Sequence, residues 1–497
     1  MEYVSTRGAE ERVTFSQAVV KGLAPDGGLF VPCEDVVFPK KALAEMAGFD
    51  YQGLALAVMS RYADDFSEDE LKACIEGAYG SGRFPECPVN VTRAGKNLSI
   101  LELWHGPTCA FKDMALQILP RFMVAASRKC GEEREITILT ATSGDTGKAA
   151  LEGFRDVPGI KVMVFYPAFG VSETQKLQMI TQEGSNVCVK AIYGNFDDAQ
   201  TGVKKIFGDA EFAEKLAKDG KMLSSANSIN WGRLLPQIVY YFFAYFSLVR
   251  EKAIKLGEKA DFCVPTGNFG DILACYYAKK SGLPVGKIIC ACNTNSVVAD
   301  FLATGTYDKN RPFVTTSSPA MDILVSSNLE RLIYDACGKD PVKTAGFMRE
   351  LAENGRYTVG KEILDRIHED FESGFATEEQ TKAAIAEAYF KDGILIDPHT
   401  AVGYSVLAKK RSGSTGNQTV LVSTASPFKF NSSVAEALCP ADVHENMSEE
   451  DISRIISEKT GESIPAPLIG LSSRKIRFPD TVEPEKMKQT AEEFIYG

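Results

Sequence analysis

The sequence predicts an α/β fold in which helices cover both faces of a mainly parallel β-sheet. Residues 96–440 alternate short apolar runs with helical patterns, and this alternation is typical of βαβ units. Residues 1–95 carry mainly helical patterns instead, for example at residues 15–22 and 68–77. The chain has 497 residues, which is more than one ordinary hydrophobic core accommodates, so we expect at least two domains.

The elements of the alternating region follow one another in a regular order. Short apolar runs predict strands at residues 136–140, 162–166, 186–190, 262–265, 287–292 and 418–423. Helices are predicted to follow two of these strands, at residues 148–154 and 272–278. The most apolar run, residues 238–249, is too short and too aromatic for a membrane span, so we expect a buried helix or a helix at a subunit contact.

Composition and charge exclude several classes of function. The net charge is 55 − 66 = −11, which argues against a nucleic-acid partner. The twelve cysteines have no metal-binding spacing and are typical of reduced core residues in a cytosolic protein. The four histidines are too scattered for a metal site. Because no basic segment followed by an apolar run stands near Met1, we expect a cytoplasmic protein without a membrane partner.

Lys112 is the first candidate catalytic residue. It lies in the segment HGPTCAFKD, residues 105–113, among small, apolar and turn-forming residues. Burying an ammonium group is costly, and a desolvated lysine has a lowered pKa and becomes a nucleophilic amine. Such an amine is what a Schiff base with pyridoxal 5′-phosphate (PLP) requires. The alternative is an exposed lysine at the start of a helix.

Two turns between a predicted strand and a predicted helix supply candidate anion sites. The turn TGNFGD, residues 266–271, has the geometry that presents backbone N–H groups to a phosphate. The alternative is an ordinary βα connection, and the spacing excludes a dinucleotide fingerprint. The turn TSGDTG, residues 142–147, could hold a carboxylate. It is not a nucleotide-binding P-loop, because Thr142 stands at the first glycine position and Ala149 follows the lysine.

An ordered series of motifs runs nearly end to end along the chain. The motifs lie at residues 3–8, 22–32, 105–113, 142–147, 227–233, 265–271, 318–328, 397–403 and 423–430. With them the chain resembles the threonine synthase family, PLP enzymes of fold type II. The resemblance implies two open, twisted, mainly parallel sheets with PLP between the domains. After the N-terminal region 1–95, it also divides residues 96–440 into a large PLP-binding domain, 96–130 and 251–440, and a small domain, 131–250. The helix-like acidic and basic segments of residues 441–497 predict a C-terminal helical extension that caps the large domain.

The resemblance implies a role for each matching residue. Lys112 would form the Schiff base and move protons, Phe111 would lie beside the cofactor ring, and Asp145 and Thr424 would face the ring oxygen and the pyridine nitrogen. The turn that cradles the cofactor phosphate would comprise Gly267, Asn268, Phe269, Gly270 and Asp271. Residues that hold the substrate carboxylate would be Thr142, Ser143 and Thr146. The substrate-phosphate site would comprise Asn227, Ser228, Asn230 and Arg233, whose planar guanidinium suits phosphate oxygens.

Three positions depart from the family pattern. Asp145 and Asp271 stand where relatives commonly have asparagine, and Ser426 stands where they commonly have histidine. An ionised aspartate cannot donate a hydrogen bond, and a negative charge near a phosphate is unfavourable unless the side chain points away or is capped. His105 and His399 have either a role in the site or a structural one.

The resemblance implies conversion of O-phospho-L-homoserine and water to L-threonine and phosphate, by γ-elimination and β-addition of water. Alternatives are a phospholyase that gives 2-oxobutyrate, another type II lyase such as a dehydratase, and an inactive binding protein. Arg233 argues against the dehydratase, because that substrate has no phosphate. We expect a monomer or a homodimer. We further expect a solvated helix face at residues 378–382 and a flexible surface loop at residues 412–417.

Overall fold

The structure, a computed structural model, describes residues 1–410, 416–444 and 446–497. Most of the loop predicted at residues 412–417 therefore lies outside the described residues. The strands are β1 (Tyr3–Ser5), β2 (Phe30–Pro32), β3 (Asn90–Arg93), β4 (Leu98–Glu102), β5 (Glu135–Ala141), β6 (Ile160–Pro167), β7 (Val187–Ile192), β8 (Lys221–Ser224), β9 (Ala260–Pro265), β10 (Val285–Cys292), β11 (Thr306–Asp308), β12 (Arg356–Thr358), β13 (Phe371–Phe375), β14 (Gln418–Ser423) and β15 (Thr481–Val482).

The helices follow the same order along the chain. They are α1 (Phe15–Lys21), α2 (Lys40–Met46), α3 (Tyr51–Tyr62), α4 (Glu68–Tyr79), α5 (Asp113–Leu116), α6 (Leu119–Cys130), α7 (Asp145–Phe154), α8 (Glu173–Ile180), α9 (Phe196–Phe207), α10 (Ala210–Lys218), α11 (Trp231–Arg250), α12 (Gly270–Lys280), α13 (Val297–Thr304), α14 (Leu329–Ala336), α15 (Pro341–Asn354), α16 (Lys361–Asp370), α17 (Glu378–Asp392), α18 (Pro398–Lys410), α19 (Asn431–Leu438), α20 (Glu449–Thr460) and α21 (Met487–Tyr496). The predicted strands and helices coincide with β5, β6, β7, β9, β10, β14, α1, α4, α7, α11, α12 and the start of α17.

A six-stranded sheet forms the larger of the two main sheets. Its strand order is β13-β10-β9-β14-β4-β3, and every neighbouring pair is parallel except β3 and β4. All residues of β9 are buried. Phe262 and Val264 contribute to the core on the side of α12, whereas Cys263 contributes to the core on the side of α18. Helices therefore cover both faces, as the alternating pattern predicts.

A five-stranded sheet lies beside it, with the strand order β15-β7-β6-β5-β8 and only parallel pairs. One face packs against α7, and the other packs against α9, α10 and α21. The two parallel sheets agree with the predicted fold class. The domain bounds themselves stay a prediction.

The C-terminal segment differs from the sequence-based expectation. Helix α20 packs against α19, but β15 pairs with β7 at the edge of the five-stranded sheet. Met487, Ala491 and Ile495 of α21 join the core cluster of that sheet. The expectation that residues 441–497 cap the large domain is therefore wrong for residues 481–497. The physical reason is that the edge strand β7 gains backbone partners and the adjacent apolar face is covered.

Helix α11 is buried over nearly its whole length, which confirms the prediction of a buried helix at residues 238–249. It packs against α3 of the N-terminal region and against α12, which follows β9. Among the described residues, no helix has the length and apolar character that a bilayer span needs. Helix α11 thus joins the N-terminal helices to the sheet edge where β9 ends.

Candidate active site

The candidate site residues cluster where parallel strands end. The turn at residues 142–147 follows β5, the turn at residues 266–270 follows β9, and Thr424 follows β14 directly. The carboxyl ends of parallel strands lie at one edge of a sheet, which is the usual place for a binding site in α/β folds. Strand β5 belongs to the five-stranded sheet, whereas β9 and β14 belong to the six-stranded sheet, and the contact between Lys112 and Asp145 joins the edges of the two sheets.

Lys112 is buried, with 7% of its surface exposed, and stands immediately before α5. Its Nζ lies 4.5 Å from the ring centroid of Phe111 and 3.6 Å from Oδ2 of Asp145. The N–H of Phe111 donates to the carbonyl oxygen of Thr424 at 2.8 Å, which ties this segment to the end of β14. Burial lowers the pKa of Lys112, and the charge of Asp145 opposes that shift. The alternative of a solvent-exposed lysine is therefore wrong.

Asp145 begins α7 and is held by several donors. Its Oδ1 accepts hydrogen bonds from Lys429 Nζ at 2.7 Å and from Gln175 Nε2 at 2.8 Å. Burial by itself would raise the pKa of Asp145, but the ammonium groups of Lys429 and Lys112 bring it well below its ordinary value. Asp145 is therefore an ionised carboxylate, and its charge is compensated by lysines rather than by solvent.

The hydroxyl-rich turn before α7 is organised by Thr142. Its Oγ1 accepts hydrogen bonds from the N–H groups of Gly144 at 3.0 Å and Gly147 at 2.9 Å. Ser143 and Thr146 are half-buried in the same turn. A side chain at Gly144, whose φ is 137°, would meet Gln175 at 2.5 Å. The turn therefore holds its shape through Thr142 and places Ser143 and Thr146 beside the start of α7, where an anion is favoured.

The turn after β9 is shaped to bring the backbone close to a ligand. Phe269 has a φ of 62°, which is uncommon for a residue with a side chain, and it directly precedes α12. The carbonyl oxygen of Gly267 accepts from Ser326 Oγ at 2.9 Å, and that of Asn268 accepts from Asn328 Nδ2 at 3.0 Å. The carbonyl groups of the turn are hydrogen-bonded to Ser326 and Asn328, and the turn leads into the N-terminus of α12. A helix N-terminus with a preceding turn of this kind suits a phosphate.

Asp271 does not present an uncompensated charge beside this turn. Both Tyr240 and Tyr241 of α11 donate phenolic hydrogen bonds to its Oδ1, the latter at 2.7 Å. Burial raises the pKa of Asp271 to about 6, although the two phenols and the charge of Lys112 act in the opposite direction. The two phenolic hydrogen bonds and the raised pKa account for a carboxyl group beside this turn.

The loop before α11 holds the predicted substrate-phosphate residues. Arg233 is 5% exposed; its Nη1 donates to the carbonyl oxygen of Ala226 at 2.6 Å, and its Nε has no hydrogen-bond partner among the described residues. Burial lowers the pKa of Arg233 to about 10, and its charge lowers the pKa of Lys112. Asn227 accepts from Thr140 Oγ1 at 3.0 Å, and Ser228 Oγ accepts from Asn328 Nδ2 at 2.9 Å.

Asn230 has a structural use in the same loop. Its Oδ1 accepts from the N–H of Gly232 at 2.9 Å and so caps α11. Its Nδ2 donates to the carbonyl oxygen of Val19 at 2.9 Å. Both ends of the side chain are therefore occupied by backbone groups, and its part in a phosphate site stays a prediction.

Comparisons with known proteins agree with this geometry. Family models described as "Threonine synthase N terminus", "Pyridoxal-phosphate dependent enzyme" and "Threonine synthase, C-terminal" match residues 2–79, 86–425 and 400–491. Threonine synthase of Saccharomyces cerevisiae is 37% identical over 524 aligned positions, which cover 99% of this chain and 97% of the yeast protein. The chain belongs to the threonine synthase family.

A human relative and a bacterial crystal structure extend this comparison. Human threonine synthase-like 1 is 39% identical over 469 residues, which cover 90% of this chain. The chain spans only 62% of the length of that human protein. The crystal structure of PLP-bound threonine synthase from Brucella melitensis superposes with a TM-score of 0.87 at 37% identity, over 99% of each chain. Sequence and fold thus agree with the family along nearly the whole chain.

The threonine synthase family uses PLP, and the residues of this chain fit that cofactor. PLP carries an aldehyde, which needs a buried amine, and a phosphate, which needs a backbone cradle. Lys112 would supply the buried amine, and the turn from Gly267 to Gly270 would supply the cradle. A Cβ added at Gly267 would lie 2.5 Å from the carbonyl oxygen of Ala320, so only glycine fits there.

Several residues of the site were not predicted from the sequence. One of them is the fully buried Lys429, in the motif at residues 423–430. It lies between two phenylalanines, and such apolar neighbours are the same kind of sequence signal that indicated Lys112. Asn328 donates hydrogen bonds to Asn268 in the turn after β9 and to Ser228 in the loop before α11, and it ends the motif at residues 318–328. Gln175 had no recognisable signal in the sequence.

The remaining candidates have structural partners. His399 donates from Nδ1 to Asp397 at 2.6 Å, and its Nε2 accepts from the N–H of Ala320 at 3.2 Å. It thereby supports the 3-10 turn Pro319–Met321, against which Gly267 rests.

Ser426 and His105 also have structural partners. Ser426 Oγ accepts from the N–H of Phe428 at 3.3 Å and caps the 3-10 turn Pro427–Lys429. His105 is half-buried and pairs with Glu102 at 2.9 Å.

Proposed function

We propose that the chain is a threonine synthase, which converts O-phospho-L-homoserine and water to L-threonine and inorganic phosphate. The observation that carries this proposal is the presence of two buried basic side chains, Lys112 beside Asp145 and Arg233 in the first turn of α11, with the charge of Arg233 lowering the pKa of Lys112. Lys112 supplies an amine whose pKa is lowered by burial, and Arg233 supplies a planar guanidinium whose Nε has no hydrogen-bond partner in the described part of the chain. The name of the Saccharomyces cerevisiae relative, at 37% identity, supports the same activity.

Pyridoxal phosphate, when bound, supplies an electron sink that stabilises negative charge on the α-carbon of an amino acid. Lys112 would hold the cofactor covalently, and the turn from Gly267 to Gly270 would hold its phosphate. Phe111 would lie beside its ring, and Asp145 and Thr424 would face its polar ring atoms. These assignments are supported by burial and by the shared location of the residues at the strand ends.

Lys112 would move protons during the reaction. An amine whose pKa is lowered by burial accepts and returns a proton near neutral pH more readily than an exposed lysine does. We assign to Lys112 the removal of the proton at Cα of the substrate and the removal of the proton at Cβ that precedes loss of phosphate. Phosphate leaves Cγ, a proton is delivered to Cγ, water adds a hydroxyl group at Cβ, and a proton returns to Cα. Overall, Cγ exchanges phosphate for hydrogen and Cβ exchanges hydrogen for a hydroxyl group.

Arg233 would bind the substrate phosphate and stabilise it as it leaves. A buried guanidinium stabilises developing negative charge strongly, because little solvent screens it. Asn227 and Ser228 would complete this site, and Asn230 would hold the loop in place. Thr142, Ser143 and Thr146 would receive the substrate carboxylate at the N-terminal end of α7, where the helix dipole favours an anion.

We further propose that the protein acts in the cytoplasm, in the aspartate-family pathway of amino-acid biosynthesis, as a monomer or a homodimer. The support for this compartment is that all twelve cysteines are free thiols, as is typical of proteins in a reducing compartment. Gel filtration with light scattering would establish the oligomeric state.

Product analysis tests the proposed activity. The PLP-loaded protein is incubated with O-phospho-L-homoserine, and threonine, 2-oxobutyrate and phosphate are quantified together. We expect equal amounts of threonine and phosphate, and loss of both in Lys112→Ala. Phosphate with 2-oxobutyrate would instead identify a phospholyase, and no phosphate from protein that carries the cofactor would refute both.

A further inference from the structure

Lys429 is a second buried lysine within reach of Asp145. Its side chain has 0% exposure, and its Nζ lies 2.7 Å from Oδ1 of Asp145. The same Nζ donates to the carbonyl oxygen of Thr108 at 2.8 Å. The carboxylate of Asp145 balances the charge of the Lys429 ammonium group, and the carbonyl oxygen of Thr108 accepts a further hydrogen bond from it.

The two lysines lie on opposite oxygens of one carboxylate. Oδ1 of Asp145 is occupied by Lys429 and by Gln175, whereas Oδ2 lies 3.6 Å from Nζ of Lys112. The segment that ends in Lys429 runs beside the segment that precedes Lys112, through the hydrogen bonds of Phe111 N to Thr424 O and of Ser426 N to Cys109 O. The backbone therefore sets where both ammonium groups meet Asp145.

The two lysines differ in how closely they contact Asp145. Lys429 makes a short ion pair and a backbone hydrogen bond, and the contact of Lys112 is longer. Other titratable or charged groups that act on Lys112, Asp145 or Lys429 come from the surrounding elements. They are Asp113, Lys148, Arg233, Asp271, His399 and the thiol of Cys109.

We propose that Lys429 is a positioning residue that keeps Asp145 ionised and turned toward Lys112, so that Lys112 can give up its proton without leaving a buried carboxylate uncompensated. The proposal rests on the role proposed for Lys112 above. An isolated carboxylate is costly to bury, so in the absence of Lys429 the proton of Lys112 would be retained to compensate Asp145.

The electrostatic contributions have the sign that this role requires. The charge of Lys429 lowers the pKa of Lys112, and it also lowers the pKa of Asp145. Removing that charge while Asp145 stays ionised therefore raises the pKa of Lys112. Removing Asp145 together with Lys429 takes away the carboxylate that would retain the proton on Lys112.

The test compares full-length wild-type protein, Lys429→Met and the double variant K429M/D145N. The readout is the rate at which cofactor-free protein takes up PLP, followed by the absorbance change on covalent attachment, from about pH 6 to about pH 10. We expect the midpoint of the Lys429→Met profile to move to higher pH. The rate on the acid side should fall about tenfold for every pH unit that the midpoint moves. The double variant should return the profile toward lower pH.

An unshifted profile in folded Lys429→Met would overturn the proposal, as would a double variant that keeps the midpoint of Lys429→Met. Should Lys429→Met fail to fold, Asp145→Asn and the double variant provide the same test. With the carboxylate absent, Lys429 acts on Lys112 by repulsion, so Asp145→Asn should have its midpoint at lower pH than the double variant. Coincident midpoints would refute the electrostatic role. Wild-type protein that takes up no PLP would refute the proposed function instead.

Discussion

At the residue scale, Asp271 shows how a carboxyl group is accommodated beside a phosphate turn. Its Oδ1 accepts from the phenols of Tyr240 and Tyr241, and its Oδ2 has no hydrogen-bond partner among the described residues. Burial is the largest influence and raises its pKa to about 6 from 3.8. The neutral form is therefore favoured in the folded chain over a range of pH in which an exposed aspartate is already ionised.

This raised pKa predicts a specific dependence of stability on pH. Between pH of about 4 and 6 the folded chain binds a proton at Asp271 that the unfolded chain has released, so the free energy of unfolding falls as pH rises through that window. The contribution amounts to about 3 kcal/mol. Asp271→Asn cannot ionise, so its stability should fall less over the same window.

Urea unfolding of both proteins at several pH values measures the difference. Burial also raises the pKa of Asp113 to about 6. Because Asp113 is present in both proteins, its contribution to the pH dependence cancels in the difference between them. Parallel pH profiles for wild-type protein and Asp271→Asn would show that Asp271 is ionised when folded.

At the scale of elements, the turn between β9 and α12 depends on close approach of backbone groups. Gly267 rests against the carbonyl oxygen of Ala320, in a 3-10 turn that His399 supports through a hydrogen bond to the N–H of Ala320. Asn328 holds the far side of the turn and also contacts Ser228 in the neighbouring loop. The turn proposed for the cofactor phosphate and the loop proposed for the substrate phosphate therefore share a structural support.

Gly267→Ala should weaken PLP binding. The added Cβ would lie 2.5 Å from Ala320 O, so the turn must shift, at a cost of about 1–3 kcal/mol. We expect a loss of at least about fivefold in PLP affinity, measured by titration of cofactor-free protein. Gly346→Ala is the matched control, because a Cβ there meets nothing within 4 Å in helix α15. Equal affinities for both variants would contradict this account of the turn.

At the scale of the whole molecule, the last residues of the described chain stabilise the five-stranded sheet. Strand β15 pairs with β7, and α21 covers the face that carries Leu139, Met163 and Phe165. Lys161 of β6 also donates to the carbonyl oxygen of Ile495 at 3.0 Å. Because this sheet carries the turn of residues 142–147, the C-terminal segment acts on the site through the stability of the sheet.

Met487→Ala should destabilise this sheet selectively. Met487 is 1% exposed and packs in the apolar cluster of the sheet, so truncation costs about 2–5 kcal/mol. We expect faster hydrogen exchange in β6 and β7, with β9 and β10 unaffected, as measured by mass spectrometry. Gln489→Ala, at an exposed position of the same helix, should leave exchange unchanged. Uniformly faster exchange in both sheets would contradict the assignment of α21 to the five-stranded sheet.

The sequence by itself determined the elements whose signal is local. Strands such as β5 and β9, and the burial of α11, follow from apolar patterns within a few residues. The small and apolar neighbours of Lys112 suggested its burial but left an exposed lysine as the alternative, and the structure decided between the two. The order of the motifs was sufficient to identify the family, because matching residues at many positions constrain the fold.

Only the tertiary structure decided which distant groups meet. The pairing of Lys429 with Asp145, the capping of Asp271 by Tyr240 and Tyr241, and the addition of β15 to β7 join residues from different elements. No local period records such contacts, since they depend on how the sheets and helices pack. The sequence therefore determined the elements and the family, and the packing decided how the charges of the site are balanced.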